Sequence, residues 1–262
     1  MDVTLSVVIV EYNRIEETLE CIASLKQFIS VPFEIIISSN SCYDQRQKDD
    51  VAHRDENVHW LFNDFNGGFA YAMNEGLKVS KGKYLVIMNS DCLLTSDLAS
   101  MIGFMEKHPE IGAIAPQMRD AEGNIQDTAR TYVSVPRYVW RQIQRLVFHK
   151  VSILDRNMDY SKVQTVDWLI GAFIMVSRKA YEATCGLDNA FFMYAEDLDW
   201  CTRIRQKGLE VVYYPNTVIV FKGTRRARYS KKYARIFIHS HFIFWRKFGF
   251  FFGYPKRKEL AL

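Results

Sequence analysis

Apolar and polar residues alternate along the first 111 residues in blocks that predict strands and helices in turn. Residues 5–10 form a continuous apolar run rich in β-branched side chains, which is typical of a strand buried on both faces. Residues 15–28 then repeat apolar side chains at helical spacing. The two patterns recur as predicted strands at 34–38, 58–62 and 84–88 and predicted helices at 70–79 and 98–107. This alternation predicts an α/β fold, with a mostly parallel central sheet and helices on both faces.

The regular alternation ends after about residue 112. The second half contains predicted strands at 112–115, 172–177, 210–214 and 217–221, a turn at 120–124, an irregular aromatic and basic segment at 135–150, and a helical pattern within 191–208. A last helix is expected from about Tyr229. Because no repeat or low-complexity linker interrupts the chain, we expect one continuous domain over 1–223 and an amphipathic helical extension over 224–262.

The predicted sheet nominates the region where a ligand binds. In an open parallel sheet, ligands lie outside the carboxyl ends of the strands. Four polar or glycine-rich segments follow predicted strands, and they are residues 11–14, 39–42, 63–68 and 89–91. We therefore expect the functional residues of the first half to come from these segments.

Composition places the chain among globular proteins. Its 262 residues are 48% hydrophobic and 24% charged, which is enough apolar surface for a sizeable core. No apolar run approaches the roughly 18 to 20 residues of a spanning helix, and no secretory signal begins the chain. The five cysteines are scattered without a Cys-x-x-Cys pair, which favours reduced packing residues over a disulfide framework or a zinc site. We expect a cytoplasmic protein.

Charge is distributed very unevenly. The formal net charge is +4, yet residues 222–258 carry 12 basic residues and no acid, which leaves −8 on the rest of the chain (4 − 12). A basic tail on an acidic body predicts an anionic partner, and nucleic acid, phospholipid and a diphosphate all have this chemistry.

Two acidic positions are candidates for chemistry. Asp91 ends an apolar strand where the sheet is expected to meet its ligand, and a carboxylate there suits a hard divalent cation; capping of the following turn is the structural alternative. Glu196, Asp197 and Asp199 fall in the first turn of a predicted helix, where amides stabilise carboxylates. A charged Asp197 could accept a proton, but acids in a first turn are ordinary capping chemistry, and this segment alone favours the structural interpretation.

A third cluster is glycine-rich. Asn66, Gly67, Gly68 and Phe69 precede or begin a predicted helix that contains Asn74. The glycines permit tight backbone, and the unpaired amides of a helix N-terminus can bind an anion.

Together these segments resemble glycosyltransferase family 2, the inverting nucleotide-sugar enzymes of the GT-A (Rossmann-like) fold, and especially its rhamnosyltransferase-like branch. The matching segments occur in family order: 6–14 (SVVIVEYNR), 34–40 (EIIISSN), 66–70 (NGGFA) with Asn74 and Gly76, 89–91 (NSD), 168–172 (WLIGA), 186–188 (GLD) and 192–199 (FMYAEDLD). The resemblance implies a nucleotide-binding half at 1–111 and an acceptor-binding half at 112–223.

The resemblance also implies roles for individual residues. Asp197 matches the general base that takes the proton of the acceptor hydroxyl, and Asp91 matches the metal-binding Asp of the Asp-x-Asp motif, whose first position is Asn89 here. The implied contacts to the nucleotide-sugar come from Tyr12, Asn13, Arg14, Ser39, Asn40, Asn66, Gly68, Phe69, Asn74 and Asn89. The implied acceptor or sugar pocket comprises Trp168, Gly171, Ala172 and Glu196, and Asp199 is assigned to helix-end structure. Lys222, Arg225 and Arg226 are expected at the diphosphate.

Two positions depart from the family pattern. The family usually has an acid at the position of Ser39, where it bonds the imide of the base, so the base preference of this chain is open. The family often has a His at the position of Phe221, and Phe cannot bind a cation. Either Asp91, diphosphate oxygens and water complete the site of a divalent cation, Mg²⁺ or Mn²⁺, or Lys222, Arg225 and Arg226 supply positive charge directly.

The C-terminal extension mixes aromatic and basic residues between 229 and 252. This composition suits an anionic membrane interface, and packing against the core is the alternative. His239 and His241 are two apart on the predicted helix and so point to different sides, which argues against joint metal binding. No recognised nucleic-acid-binding module accompanies the basic residues, so we expect no nucleic-acid partner.

The resemblance implies an inverting hexosyltransferase that moves L-rhamnose from dTDP-rhamnose to a saccharide acceptor. The acceptor is expected to be carried by a polyprenyl diphosphate in bacterial surface polysaccharide synthesis, such as that of O-antigen, with the enzyme peripheral at the cytoplasmic face of the inner membrane. Two alternatives stay open: a family 2 enzyme that uses a UDP-hexose or another nucleotide-sugar, and a catalytically silent homologue that only binds the nucleotide-sugar.

Overall fold

The computed structural model describes residues 3–55, 57–132, 158–223 and 231–249. Over the first half of the chain, strands and helices alternate as the hydrophobic pattern predicts. The elements are β1 (Leu5–Glu11), α1 (Ile15–Phe28), β2 (Phe33–Ser39), α2 (Gln45–His53), β3 (Val58–Phe62), α3 (Phe69–Val79), β4 (Tyr84–Asn89), β5 (Cys92–Leu94) and α4 (Ala99–Lys107).

The second half contains two long strands together with several strands of only two residues. Its described elements are β6 (Ile111–Arg119), β7 (Ala129–Arg130), β8 (Gln164–Thr165), β9 (Trp168–Leu169), β10 (Phe173–Ser177), α5 (Arg178–Thr184), α6 (Glu196–Gln206), β11 (Glu210–Phe221) and α7 (Lys231–Phe248). The predicted irregular segment 135–150 lies outside the described residues.

One nine-stranded sheet connects both halves of the chain. Its strand order is β3-β2-β1-β4-β10-β6-β11-β5, with β8 paired to β11, while β7 and β9 form a separate pair. Strands β1 to β4 are parallel, and β11 is parallel to β6. Strand β10 runs antiparallel between β4 and β6. The predicted fold class, a mostly parallel α/β sheet, is therefore confirmed.

Both faces of the sheet are covered, which explains the continuous apolar runs. In β1, Val7 and Ile9 pack into the cluster that contains Leu25 of α1, whereas Val8 points to the opposite face and packs with Leu77 of α3. All of these side chains are buried. Alternate residues of a strand face opposite sides, so burial on both sides removes the polar positions that a one-sided strand would show.

Two local differences from the prediction have physical causes. Predicted strands 210–214 and 217–221 are one strand, β11, whose register shifts between Tyr214 and Val218; Pro215 lies there and cannot donate a ladder hydrogen bond. Helix α2 was not predicted because only Val51 of its polar sequence is buried, although Asp44 and Gln47 form a capping box at its start.

Candidate functional site

The candidate site lies at the carboxyl ends of the parallel strands. Strand β1 has β2 on one side and β4 on the other, so the chain order reverses beside β1. A crevice outside such a reversal point is the expected ligand site in an open α/β sheet. The segments that follow β1 and β4 carry the predicted residues 12–14 and 89–91.

Glu11 is the centre of a buried network at the carboxyl ends of β1 and β2, where the sequence predicts nucleotide binding; we call this place the nucleotide edge. One carboxylate oxygen accepts hydrogen bonds from the Ser39 and Ser41 hydroxyls at 2.5 and 2.7 Å. The other accepts from the Arg14 N–H at 2.8 Å and the Tyr43 hydroxyl at 3.2 Å. Glu11 is fully buried and Ser39 almost fully. The negative charge that Ser39 lacks is thus supplied from the neighbouring strand.

Glu11 lies in segment 11–14, which the sequence analysis expects to contribute functional residues, but no role is predicted for Glu11 itself. Its signal is an acid at the end of an otherwise apolar strand, since a carboxylate at such a buried place needs hydrogen-bond donors. The donors come from residues 39–43 of the next strand and loop, and their convergence on residue 11 is a property of the pairing between β1 and β2.

The segment after β1 forms the rim of this edge. Tyr12 is 47% exposed. Asn13 has a left-handed backbone conformation, with φ of 52°, and its N–H donates to the Ser41 hydroxyl at 2.7 Å. The Arg14 guanidinium lies 3.2 Å from a Glu17 carboxylate oxygen. Tyr12 and Arg14 keep exposed surface at the edge of the crevice, as a contact with a nucleotide requires.

Asn40 and Asn66 hold the glycine loop. The Asn40 side chain donates to the Gly68 carbonyl at 3.0 Å and accepts from the Asn63 amide at 3.0 Å. The Asn66 side chain accepts from the Gly68 N–H at 3.0 Å. Gly68 has a φ of 89°, and an added Cβ would lie 2.3 Å from the Phe192 carbonyl oxygen. The contacts of Asn40 and Asn66 therefore support a positioning role for both side chains.

The glycine loop, residues 66–69, also contacts the acidic segment, residues 192–199. The Phe69 N–H donates to the Phe192 carbonyl at 2.7 Å, so one of the amides predicted to bind an anion is used inside the protein. The Asn74 side chain donates to the Leu187 carbonyl at 2.8 Å and to the Asn189 side chain at 2.7 Å. Its oxygen accepts the Leu187 N–H at 3.0 Å. These contacts support a role for Asn74 in holding residues 186–189.

Asp91 lies at the carboxyl end of β4 with one oxygen buried and without a hydrogen-bond partner. Burial, and then the charge of Glu17, raise the pKa of Asp91 to about 6, while the Asn89 side chain donates a hydrogen bond that opposes this rise. A buried carboxylate oxygen without a donor fits a divalent cation. Glu17, which the sequence analysis did not select, is the second acid at this place.

Lys222, a residue predicted to contact the diphosphate, lies close to Asp91. The Lys222 ammonium lies 2.6 Å from Glu20, and the Lys222 N–H donates to the Asp91 carbonyl at 2.9 Å. Phe221 pairs with Cys92 across the β11–β5 ladder. Arg225 and Arg226 lie outside the described residues. Within the described part of the chain, no three His, Cys, Asp or Glu side chains form a complete metal site.

Asp197 is held at the start of α6 by two backbone donors. The Gly171 N–H donates to one carboxylate oxygen and the Leu198 N–H to the other, both at 2.8 Å. The Ala172 carbonyl, next in the chain, accepts the Asn89 N–H at 2.9 Å, which connects the base candidate to the end of β4. Burial raises the pKa of Asp197, against the lowering effect of these donors and of the Arg130 charge.

Glu196 is buried beside Asp197, and one of its oxygens has no hydrogen-bond partner. Burial, and then the charges of Asp197 and Asp199, raise the pKa of Glu196 well above its ordinary value. Two neighbouring acids with one shifted strongly upward suit a proton holder beside a proton acceptor. This arrangement separates Glu196 from an ordinary exposed capping acid.

Arg130 is a residue that the sequence analysis missed. Its guanidinium lies 5.0 Å from the centre of the Trp168 ring and donates from Nε to Asp127 at 2.7 Å. It acts on Asp197 through its charge. Arg130 belongs to the two-residue strand β7, which pairs with the strand of Trp168, and so short an element has no periodic signal in the sequence. Arg130 and Trp168 form one wall beside Asp197.

Helix α7 packs against the acidic segment, as one of the two interpretations of the tail predicted. Phe244 is 1% exposed in a cluster with Phe191, Ala195 and Leu198. His239 is exposed, whereas His241 is half-buried. Among the described residues, no helix is long and apolar enough to cross a membrane. The binding of an anionic membrane surface by the tail stays a prediction.

Known proteins resemble this chain in sequence and in fold. A family model described as "Glycosyl transferase family 2" matches residues 6–184. An "N-acetylglucosaminyl-diphospho-decaprenol L-rhamnosyltransferase" of Mycobacterium tuberculosis is 24% identical over 241 residues, which are 82% of this chain and 75% of that protein. "Rhamnosyltransferase WbbL" of Escherichia coli K12 is 26% identical over 153 residues, 57% of this chain and 56% of the relative.

A solved structure supports the fold independently. The crystal structure of GalNAc-T7 with UDP, GalNAc and Mn2+ superposes with a TM-score of 0.61 at 15% identity, over 84% of this chain and 44% of that chain. The present chain thus spans less than half of that protein, and the likeness concerns the fold alone. The GT-A fold inferred from the sequence motifs agrees with it. Because the family model covers more than half of the chain, this protein belongs to glycosyltransferase family 2 and is a glycosyltransferase.

Proposed function

We propose that the protein transfers L-rhamnose from a dTDP-linked donor to a saccharide carried by a polyprenyl diphosphate. The observation that carries the proposal is the position of Asp197, whose two oxygens are held by Gly171 and Leu198. The next residue after Gly171, Ala172, accepts the Asn89 N–H, which ties this carboxylate to the strand end that precedes Asp91. The names of the M. tuberculosis and E. coli relatives support rhamnose, and the name of the first supports the lipid-linked acceptor.

The proposed reaction is a single displacement. Asp197 accepts the proton of the acceptor hydroxyl while that oxygen forms a bond to the anomeric carbon. The bond from this carbon to the diphosphate oxygen breaks on the opposite face, and the nucleoside diphosphate leaves with the bonding electrons. The anomeric configuration therefore inverts.

The surrounding residues position the two substrates and the charges. Asp91 would hold a divalent cation, which when bound offsets negative charge on the leaving diphosphate. Burial and the neighbouring acids raise the pKa of Glu196, which favours its protonated form, and a protonated carboxyl can donate a hydrogen bond to an acceptor hydroxyl. Trp168, backed by Arg130, offers an aromatic surface to a sugar ring. Tyr12 and the Glu11 network receive the nucleotide at the other end of the crevice.

A donor panel tests this proposal. Purified protein is mixed with dTDP-rhamnose, UDP-glucose, UDP-galactose and GDP-mannose, each with and without Mg²⁺ or Mn²⁺, and a synthetic N-acetylglucosaminyl-diphospho-lipid. Thermal shift reports binding, because a ligand that binds the folded state raises its melting temperature. Mass spectrometry reports the glycosylated lipid. We expect transfer from dTDP-rhamnose, and transfer only from a UDP-hexose would replace the proposed donor.

Asp197→Asn tests the base. We expect turnover to fall by about 100-fold or more, because positioned base catalysis contributes at least that much, while the nucleotide-induced thermal shift is kept. Glu122→Gln is the control. Glu122 is an exposed acid in the turn at 120–124, and this variant should retain full turnover. Turnover of Asp197→Asn within tenfold of the parent would show that another group accepts the proton. Nucleotide-sugar binding by the parent without transfer to any acceptor would favour the silent homologue.

A further inference from the structure

The turn before the catalytic helix has a strained backbone. Tyr194 and Ala195 are consecutive non-glycine residues with positive φ, 70° and 64°. L-residues adopt this left-handed conformation only at a cost in free energy, and such strain persists where surrounding contacts impose it. Ala195 is the N-cap of α6 and provides no side-chain cap. The direction of the first turn, which carries Glu196 and Asp197, is therefore set by contacts from elsewhere.

Helix α7 provides contacts on one side of this turn. The Ser240 hydroxyl donates to the Met193 carbonyl at 2.7 Å. The Phe237 ring lies edge-on to the Tyr194 ring, with 5.6 Å between their centres. Phe244 is buried against Ala195. All three contacts fall on residues 193–195, so α7 follows the strained turn along its length.

Lys247, near the end of α7, forms ion pairs with acids on both sides of the turn. Its ammonium lies 2.6 Å from Asp188, which precedes the turn, and 2.6 Å from Asp199, which follows it in α6. Asp199 is fully buried and also bonds Arg203 at 2.7 Å. A cation shared by acids on both sides of the turn limits how far the two sides can separate.

We propose that α7 positions the catalytic acids, with Ser240 and Lys247 as positioning residues that hold the turn at 193–195. The inference rests on the proposed role of Asp197. The family model ends at residue 184, so the match does not include α7 or the turn that it contacts. On its other side the turn bonds the start of α3 through Phe192 and Phe69. The position of Asp197 is thus fixed between α3, on the nucleotide side, and α7.

The test compares Lys247→Met with Lys247→Arg. Met keeps the length of the side chain and removes the charge, whereas Arg keeps the charge. Ser240→Ala is a milder second variant that leaves both ion pairs intact. Lys232→Met, at an exposed position of the same helix, is the matched control. Each protein is assayed for kcat and for KM of dTDP-rhamnose, for its dTDP-induced thermal shift, and for amide hydrogen exchange.

We expect Lys247→Met and Ser240→Ala to lower kcat by roughly tenfold to a hundredfold, because small misplacements of a catalytic group have effects of that size. KM for the donor and the dTDP-induced shift should stay at the parent values. Exchange should accelerate at residues 193–199 and remain unchanged at 5–11. Lys247→Arg should restore kcat, and Lys232→Met should match the parent.

Two results would overturn the inference. One is a parent-like kcat in both Lys247→Met and Ser240→Ala, and the other is unchanged exchange at 193–199 in both variants. If the parent protein itself transfers nothing from dTDP-rhamnose, the proposed donor is wrong. In that case kcat is measured with the donor that the panel identifies, and a parent that transfers from no donor overturns the positioning of catalytic acids together with the proposed function.

Discussion

At the carboxyl ends of β1 and β2 the site is held by neutral donors around the single carboxylate of Glu11, whereas three buried acids lie together at the start of α6, where two cations pair with Asp199 and two backbone amides hold Asp197. The donors to Glu11 come from residues 14, 39, 41 and 43, within one pair of neighbouring strands and their loops. The partners of the acids at the start of α6 come from residues 171, 203 and 247.

The two places differ in how many parts of the chain are needed to form them. The nucleotide edge is a local structure, because pairing of β1 with β2 already brings Glu11 to Ser39. The start of α6, where the sequence predicts acceptor binding and which we call the acceptor edge, is assembled from distant segments, and its buried charges need partners from them. We therefore expect substitutions at the nucleotide edge to change donor affinity and leave turnover near the parent value, and substitutions around α6 to change turnover. The largest loss of stability is expected at the buried charges behind α6.

The largest expected effect on stability concerns the buried ion pair behind the acceptor edge. Arg205, 4% exposed, lies 2.6 Å from Asp167, which precedes Trp168 and accepts the Tyr132 N–H at 2.7 Å. Asp167→Asn removes the carboxylate charge that pairs with the buried guanidinium at 2.6 Å, so the free energy of unfolding should fall by about 3–5 kcal/mol in urea titrations.

The matched control is an ion pair of the same length in the first half of the chain. Lys26 and Asp55 are also 2.6 Å apart, but the Lys26 side chain is 37% exposed. Asp55→Asn should lower the free energy of unfolding by less than about 1 kcal/mol. Equal losses of unfolding free energy in the two variants would contradict the expected difference between the buried Arg205–Asp167 pair and the exposed Lys26–Asp55 pair.

Glu11→Gln is expected to have the next largest effect, at the nucleotide edge. Glutamine replaces one accepting oxygen with a donating amide, which faces hydroxyl or N–H donors, and unmatched buried donors cost about 1–3 kcal/mol. We expect a loss of about 2 kcal/mol in the free energy of unfolding and a smaller dTDP-induced thermal shift, with kcat at saturating donor near the parent value. Glu16→Gln, at a 79% exposed acid, should change neither. A large fall in kcat with unchanged dTDP binding would contradict a nucleotide role for Glu11.

The sequence predicted the long strands of the sheet because buried strands have continuous apolar runs. Strand β1 follows this rule, since covering helices bury Val7 and Val8 on opposite faces. The roles of Asn40 and Asn74 were harder to predict, because their partners at Gly68 and Leu187 are reached only through the tertiary fold. An amide in a motif does not reveal whether it binds a ligand or the backbone.

The contacts of α7 had even less signal in the sequence. The tail composition fitted a membrane surface and core packing equally well, and the pair of Lys247 with Asp199 joins residues 48 positions apart. Arg130 shows the same limit, since it reaches Trp168 through a two-residue strand pair. Hydrophobic periodicity predicts which face of an element is buried, but it carries no information on the distant segment that covers it.

The smallest expected effect is a gain in stability at the acceptor edge. Burial and the neighbouring acids hold the pKa of Glu196 well above its ordinary value of 4.5 in the folded protein, so above pH 4.5 the folded state binds more protons at this group than the unfolded state does. Folding stability from this group is present below about pH 4.5 and is lost as the pH rises toward the folded pKa. Glu196→Gln removes this dependence. Its free energy of unfolding should exceed that of the parent by about 1–2 kcal/mol at pH 7, and the difference should shrink toward pH 4. Urea titrations at both pH values measure it, and a difference that is constant with pH would mean that Glu196 is ionised in the folded protein at pH 7.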